Sequence, residues 1–287
     1  MGELFLAPND LLQLFILSAI WGASFILIKH GGESFPPAWM ALLRLAFGSG
    51  FLAVAMRVKR APAPPRSLIP FLLLLSLFNN AIPFTLIAWG EHSIPSGLAS
   101  ILNATTTLWV LIISFITVPA TRNLRVAAGV AVGFIGVAIA VLGTGSHGNA
   151  AQPIGVLLVG LAAISYAIGT VLAKSRLKQH DPLGLATVQL SVATAMMLPL
   201  ALLGPLPTAV SAVSLGSVAA LGVLGTGLAY ILYYGLLTRV SAVQIQSVTY
   251  ILPLWGLMWG LIDGEPLGWM SGVGVAVVLV GLALLRR

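Results

Sequence analysis

Arg44 is the side chain whose chemistry sits worst with its surroundings. It stands about eight residues inside an apolar run, Pro36–Met56. A guanidinium at that depth in a bilayer costs at least about 2.5 kcal/mol, so such a charge marks a functional site unless it has a structural partner. No Asp or Glu is embedded in an apolar run to neutralise it. Two readings stay open. Arg44 ties helices together through backbone carbonyls, or it receives an anionic group of a visiting solute. A carboxylate would suit the planar guanidinium, which donates two parallel hydrogen bonds to it.

Three further polar groups interrupt apolar stretches. Asn79 and Asn80 precede Pro83. Ser100, Asn103 and Thr107 recur at i, i+3 and i+7, which places them on one face of a continuous helix. Gln246, Thr249, Tyr250 and Pro253 form a corresponding set, and Thr226, Tyr230, Tyr233 and Tyr234 add hydroxyls nearby. Polar side chains in lipid need partners, and helix–helix bonding accounts for some of them. As walls of one cavity they would bind a solute, and the candidate set is Trp21, Arg44, Asn79, Asn80, Ser100, Asn103, Tyr166, Tyr230, Tyr234, Gln246 and Tyr250.

Enzyme chemistry has little to work with. There is no His-Glu-x-x-His pair and no cysteine, and the four histidines (His30, His92, His147, His180) fall at the ends of apolar runs or between them. Neither a metal site nor a nucleophile with its base is expected. No cofactor is implied, and no segment reads as a ring-forming ion filter.

The elements that must position these residues follow from composition. Only 7% of the residues are charged, against roughly 25% in a soluble domain, so water cannot be the solvent of this surface. Mean hydropathy is +1.04. Apolar runs bounded by Pro, Gly and charge predict ten spans of roughly 20 residues. They are Asp10–Lys29, Pro36–Met56, Leu68–Trp89, Pro95–Ile116, Arg125–Leu142, Pro153–Lys174, Pro182–Leu203, Leu215–Leu237, Ala242–Ile262 and Trp269–Leu285. The first ten residues are acidic and lead into a span without a small-residue cleavage pattern, so no cleaved signal peptide is expected.

Twelve of the fourteen Lys and Arg residues lie after even-numbered spans or at the C-terminus, while Glu33, Glu91, Asp263 and Glu265 lie on the opposite side. The positive-inside rule then places both termini in the cytoplasm. The net charge of +7 therefore reports orientation, and no nucleic-acid partner is expected.

A shift of 145 residues lays Trp21-Gly22 on Tyr166-Ala167, Lys29 on Lys174 and Met40–Leu45 on Leu185–Leu190. One residue more lays Phe84 on Tyr230 and Thr107 on Pro253. Five spans per copy is an odd number, so the second copy enters from the opposite side. The expected fold is all-α integral membrane, ten helices in two inverted five-helix repeats, 1–146 and 147–287, around a central cavity. Gly129-x-x-x-Gly133 and Gly268-x-x-x-Gly272 mark the fifth and tenth spans as scaffold brought together by small residues.

The stretch Ile94-Pro95-Ser96-Gly97-Leu98-Ala99-Ser100-Ile101-Leu102-Asn103-Ala104-Thr105-Thr106 resembles the first-repeat motif of the drug/metabolite transporter superfamily. Gly225–Tyr230, Tyr250–Pro253 and Asp263–Leu267 resemble its second-repeat motif. Trp21-Gly22 with Ser24-Phe25, and the segment around Arg44, match its opening helices. Essentially the whole chain is covered, and the pattern resembles the ten-helix branch with two EamA domains. Thr107 stands where that family often has proline, and Pro119–Arg122 stands where it has Gly-Glu. The resemblance implies a metabolite exporter of the bacterial inner membrane, most like amino-acid exporters, including the aromatic amino-acid exporter.

The expected function is export of aromatic or hydrophobic amino acids by alternating access. A polyphosphorylated solute would need several deep cations, and a cationic drug would need an embedded carboxylate in the first span, which has none. A zwitterion needs one carboxylate contact, a few amides or hydroxyls and aromatic walls. Another small metabolite, such as a purine, is the alternative solute, and a non-transporting membrane protein is the alternative class. The expected partners are the amino acid and the bilayer, with the protein itself a monomer.

Overall fold

A computed structural model describes residues 8–117, 124–144, 152–173, 180–207, 209–237, 239, 242–265 and 268–284. They form thirteen α-helices: α1 (Pro8–Gly32), α2 (Pro37–Lys59), α3 (Ile69–Ser76), α4 (Ile82–Gly90), α5 (Ser96–Ala104), α6 (Thr106–Thr117), α7 (Leu124–Thr144), α8 (Pro153–Ala173), α9 (Pro182–Leu203), α10 (Ala212–Gly222), α11 (Ala229–Leu237), α12 (Ala242–Ile262) and α13 (Trp269–Leu284). Several run on from one another. Among the described residues, seven stretches are long and apolar enough to cross a membrane, and three shorter apolar helices lie at Ala127–Gly143, Ile251–Ile262 and Trp269–Gly281. Among the described residues the regular structure is all helical, and the chain is a multi-pass membrane protein. The segment Pro119–Arg122, where the family motif lapses, lies outside the described residues.

The breaks within long stretches have local causes. Pro83 has no N–H and its ring crowds the carbonyl four residues back, so the α ladder cannot continue through it. A π-helical turn, Leu77–Ala81, absorbs the mismatch, and Ile82 N–H reaches Leu77 O. Ser165 of α8 donates to the nearby Phe78 carbonyl at 2.8 Å. A second π turn, Val223–Leu228, joins α10 to α11 without any proline; it is built on Gly225, Thr226 and Gly227. The two turns begin 146 residues apart, the register read from the sequence for this pair of spans.

The helix carrying Ser100, Asn103 and Thr107 is interrupted at Thr105, which corrects the expectation of one continuous face. The Thr105 and Thr106 hydroxyls bond back to the Leu102 and Asn103 carbonyls at 2.6 and 2.7 Å, offering the backbone an alternative to the helix ladder. A break thus occurs here even though proline is missing.

α7 and α13 pack along their whole length, as scaffold helices should. Close approach comes from Gly136 against Gly274 and from Gly133 and Gly129 against Gly281, where an added Cβ would meet backbone atoms within 2.7 Å. Gly272 faces open space, so the expected Gly268–Gly272 pair does not make this contact.

The remaining pairings exchange the two halves of the chain. α1 packs on α12 and α10, and α8 packs correspondingly on α6, α5 and α4. α2 pairs with α9, and α5 with α12. The connections gather into two groups. Ser211 N–H donates to Ser34 Oγ at 3.2 Å, Gln152 N–H to Ser93 O at 3.3 Å, and Lys29 meets Asp263 at one end. At the other, Gly184 lies against the Pro62 carbonyl, and Arg239 meets Asp10 and Gln13 at 3.1 and 2.6 Å.

Candidate functional site

Arg44 lies about two turns into α2 and is 7% exposed. Its Nε donates to Thr226 Oγ1 at 2.9 Å, and its Cζ lies 3.7 Å from the centroid of the Phe84 ring. Thr226 sits in the second π turn, where its hydroxyl also reaches Leu221 O, five residues back, at 3.1 Å. α2 comes this close because Gly48 faces that turn: a Cβ there would meet Thr226 Cγ2 at 2.9 Å and Gly222 O at 3.0 Å. Among the described residues, nothing accepts a hydrogen bond from the two terminal guanidinium nitrogens, and no carboxylate pairs with Arg44.

One helical turn away runs a chain of uncharged groups. Asn80 Nδ2 donates to Tyr230 Oη at 2.8 Å, and Asn80 Oδ1 accepts from Gln189 Nε2 at 2.8 Å. Tyr234 Oη donates to Gln189 Oε1 at 3.1 Å. Both amides are thereby oriented, and the Tyr230 proton has no acceptor among the described residues. Buried amides satisfied in this way hold their geometry, because each bond lost would strand a polar group.

The two arrangements are counterparts. The repeat register lays Arg44 on Gln189, Asn80 on Thr226 and Phe84 on Tyr230. Arg44 of the first half reaches Thr226 of the second, and Gln189 of the second half reaches Asn80 of the first. Gln189 was not among the sequence candidates, although its place under Arg44 in the register was the signal that could have found it.

The aromatic candidates surround this centre. Tyr166 packs edge-on to Phe84 at 6.4 Å, Tyr230 and Tyr234 lie 5.8 Å apart, and Trp21 lies 5.7 Å from Tyr233. Asn103 Oδ1 is buried without a hydrogen-bond partner among the described residues. Other candidates are engaged in packing. Asn79 lies against Gly169 of α8, where a Cβ would collide with Oδ1. Ser100 Oγ donates to Gly97 O at 2.7 Å and is pressed on Gly256 of α12. Gln246 and Tyr250 stand on α12, but their side chains lie outside the described residues.

An ion network closes one end of the bundle. Lys29 Nζ meets Asp263 Oδ2 at 2.6 Å and Glu265 Oε1 at 3.1 Å, and His30 Nε2 meets Asp263 Oδ1 at 2.9 Å. Glu265 also accepts from the backbone N–H groups of Ser96 and Gly97 at 3.0 and 3.1 Å. These are the first donors of α5, which have no partner inside the helix. Partial burial pushes the Asp263 carboxyl up, but the bonds and charge of Lys29 and His30 outweigh it and hold the group below its ordinary value. A separate groove of about 280 Å³, lined by Leu111, Ile112, Phe115, Ile116, Ala127, Val130 and Ala131, is wholly apolar and contains none of these groups.

Residues 10–142 and 153–287 each match the EamA-like transporter family. The chain is 29% identical over 275 residues to the uncharacterized inner membrane transporter YedA of Escherichia coli (strain K12), covering 94% of this chain and 88% of that one. It is 25% identical over 274 residues to a probable terminal-alkyne amino-acid exporter of Streptantibioticus cattleyicolor, covering 93% and 90%. It is also 25% identical over 277 residues to an uncharacterized transporter of Archaeoglobus fulgidus, covering 93% and 95%. A solved crystal structure superposes with a TM-score of 0.70 at 18% identity, covering 97% and 96% of the two chains, which is a likeness of fold.

Proposed function

The chain belongs to the EamA-like transporter family, and from that premise we propose that it exports hydrophobic and aromatic amino acids across a bacterial inner membrane by alternating access. The observation that carries the solute class is the buried Arg44, whose terminal nitrogens are uncommitted among the described residues beside aromatic rings and oriented amides. A zwitterion would set its carboxylate on Arg44. Its ammonium would find acceptors on the neighbouring amides and phenols, and its side chain would lie against Phe84, Tyr166 and Tyr230. The name of the Streptantibioticus relative agrees with this class of solute.

The architecture proposed is ten spans in two inverted repeats, with both termini cytoplasmic. Support comes from the double family match, the π turns 146 residues apart and the exchanged helix pairings. The cross-bonded counterparts Arg44–Thr226 and Gln189–Asn80 agree with it. One monomer supplies every group in the centre.

Counterflow into liposomes holding the purified protein tests the solute. Labelled phenylalanine, tryptophan or leucine should accumulate against an internal pool of the same amino acid, and glutamate, lysine and nucleotide sugars should not. Counterflow of a purine with none of any amino acid would overturn the assignment.

A further inference from the structure

The sequence places Glu91 among the acids of an outer loop. The structure encloses its carboxyl. Glu91 follows the end of α4, where Gly90 is packed so closely on α8 that an added Cβ would meet Val159 Cγ2 at 2.7 Å. The residue as a whole is half-buried, but both carboxylate oxygens are shut off and neither has a hydrogen-bond partner among the described residues. An ionised carboxylate without a donor in such a place is strongly disfavoured, and the group takes a proton instead.

Neither nearby cation is hydrogen-bonded to the Glu91 carboxyl. Lys29 is held by Asp263 and Glu265, and Arg44 by Thr226. The Glu265 carboxylate, Arg44 and Lys29 all act on Glu91 through space. Of the other elements packed on α4, α8 brings Tyr166 and α1 adds His30, which is bonded to Asp263 and Glu33. The π turn Leu77–Ala81 brings no titratable group, and His92 is the next residue in sequence.

Resting on the transport reading above, we propose that Glu91 is the proton-binding site of this transporter, loaded while the Lys29–Asp263–Glu265 network is closed and exposed to outer water when it opens. Opening separates Glu265 from the start of α5, frees Lys29 and wets Glu91. The carboxyl then gives its proton to water, and closing takes one back. No bond to the solute forms. Burial, with Glu265 adding to it and Arg44 and Lys29 opposing, holds the closed-state carboxyl well above the ordinary carboxylate range. The closed state is therefore favoured at low pH and loses that advantage as pH rises through the closed-state value.

Ser96 reports the opening without any solute. It lies at the start of α5 under Glu265, is 1% exposed, and its hydroxyl has no hydrogen-bond partner among the described residues, so cysteine can replace it in a chain that contains no cysteine. The full-length Ser96→Cys protein in liposomes is reacted with an impermeant maleimide across the pH range. The rate is divided by that of Ala209→Cys, an exposed position that reports thiol ionisation. The ratio should rise with pH by up to about tenfold per unit, the limit for one linked proton. It should become flat when Glu91→Gln is added. Glu91→Asp, which keeps the carboxyl, should retain the slope with a displaced midpoint. Infrared spectra at pH 7 should contain a neutral-carboxyl band that Glu91→Gln removes. A flat ratio in the Ser96→Cys protein, an unchanged slope in Glu91→Gln, or no such band in the unsubstituted protein would each overturn the proposal. None of these measurements needs a transported solute, so absence of amino-acid counterflow leaves them readable. Normal counterflow with a flat ratio removes Glu91 and keeps the transporter.

Discussion

Replacing Arg44 with glutamine separates its two possible roles, because the structure lets both sides of the balance be written down. The substitution removes one charge-assisted bond, from Nε to Thr226 Oγ1, worth about 1.5–3 kcal/mol. It also removes the stacking of the guanidinium over Phe84 at 3.7 Å, worth about 0.5–2 kcal/mol. Against these stands the relief of burying an uncompensated cation, about 2.5–3.5 kcal/mol on insertion scales. The terms nearly cancel, so Arg44→Gln should reach the membrane folded, with a melting temperature within a few degrees of the parent.

Solute binding has no such compensation. Loss of a carboxylate contact should weaken apparent affinity at least tenfold, about 1.4 kcal/mol. Arg44→Lys should recover little of it, since an ammonium cannot present the paired donors of the guanidinium fork. The assay is concentration-dependent counterflow with thermal unfolding measured on the same preparations. Unchanged affinity with a large drop in melting temperature would refute the reasoning and leave Arg44 as a tie between α2 and the second π turn.

Gln189→Leu keeps the volume and breaks both amide bonds of the Asn80–Gln189–Tyr234 chain, stranding Asn80 Oδ1 at a cost of about 1–3 kcal/mol. Melting temperature should fall and amino-acid preference should change together, whereas the same replacement at exposed Gln152 should do neither, as parallel unfolding and counterflow panels would reveal. For orientation, Ala209→Cys should react with an impermeant maleimide added outside intact cells and Ser67→Cys should not; both positions are exposed, and the reverse pattern would invert the topology.

The helical, multi-pass character of the chain was legible because a bilayer leaves the sequence few choices: charge is excluded from long apolar runs. Arg44 was legible for the same reason, as the exception. The π turns were not read from the sequence: Leu77–Ala81 lies just before Pro83, which has no N–H to continue the ladder, while Val223–Leu228 contains no proline and carries Gly225 and Gly227 around Thr226. Ser100 and Asn79 were read as cavity groups from type and spacing. Their direction depends on which neighbour comes close, and Gly256 and Gly169 decide that from distant parts of the chain. Glu91 failed in the opposite sense. A helix-end acid beside His92 and Ser93 reads as solvated, whereas its oxygens are enclosed next to the close contact of Gly90 with α8, a contact between distant parts of the chain.

On the proposed reading, the counterpart pairs would let a nearly symmetric centre orient an asymmetric solute. Thr226 and Asn80 occupy equivalent places, each in or beside a π turn, and each receives a donor from the other half of the chain. Helices at such turns have backbone groups outside the regular ladder, so small changes of register there cost less than elsewhere. The donor is a guanidinium in one case and a neutral amide in the other. Equal groups would bind a zwitterion equally well in either direction and gain nothing from orienting it. With a cation on one side, a carboxylate would be drawn to Arg44, while Gln189, bonded to Asn80 and Tyr234, would leave the other side for the remaining polar end. The difference between Arg44 and Gln189 would thus give the proposed site its direction.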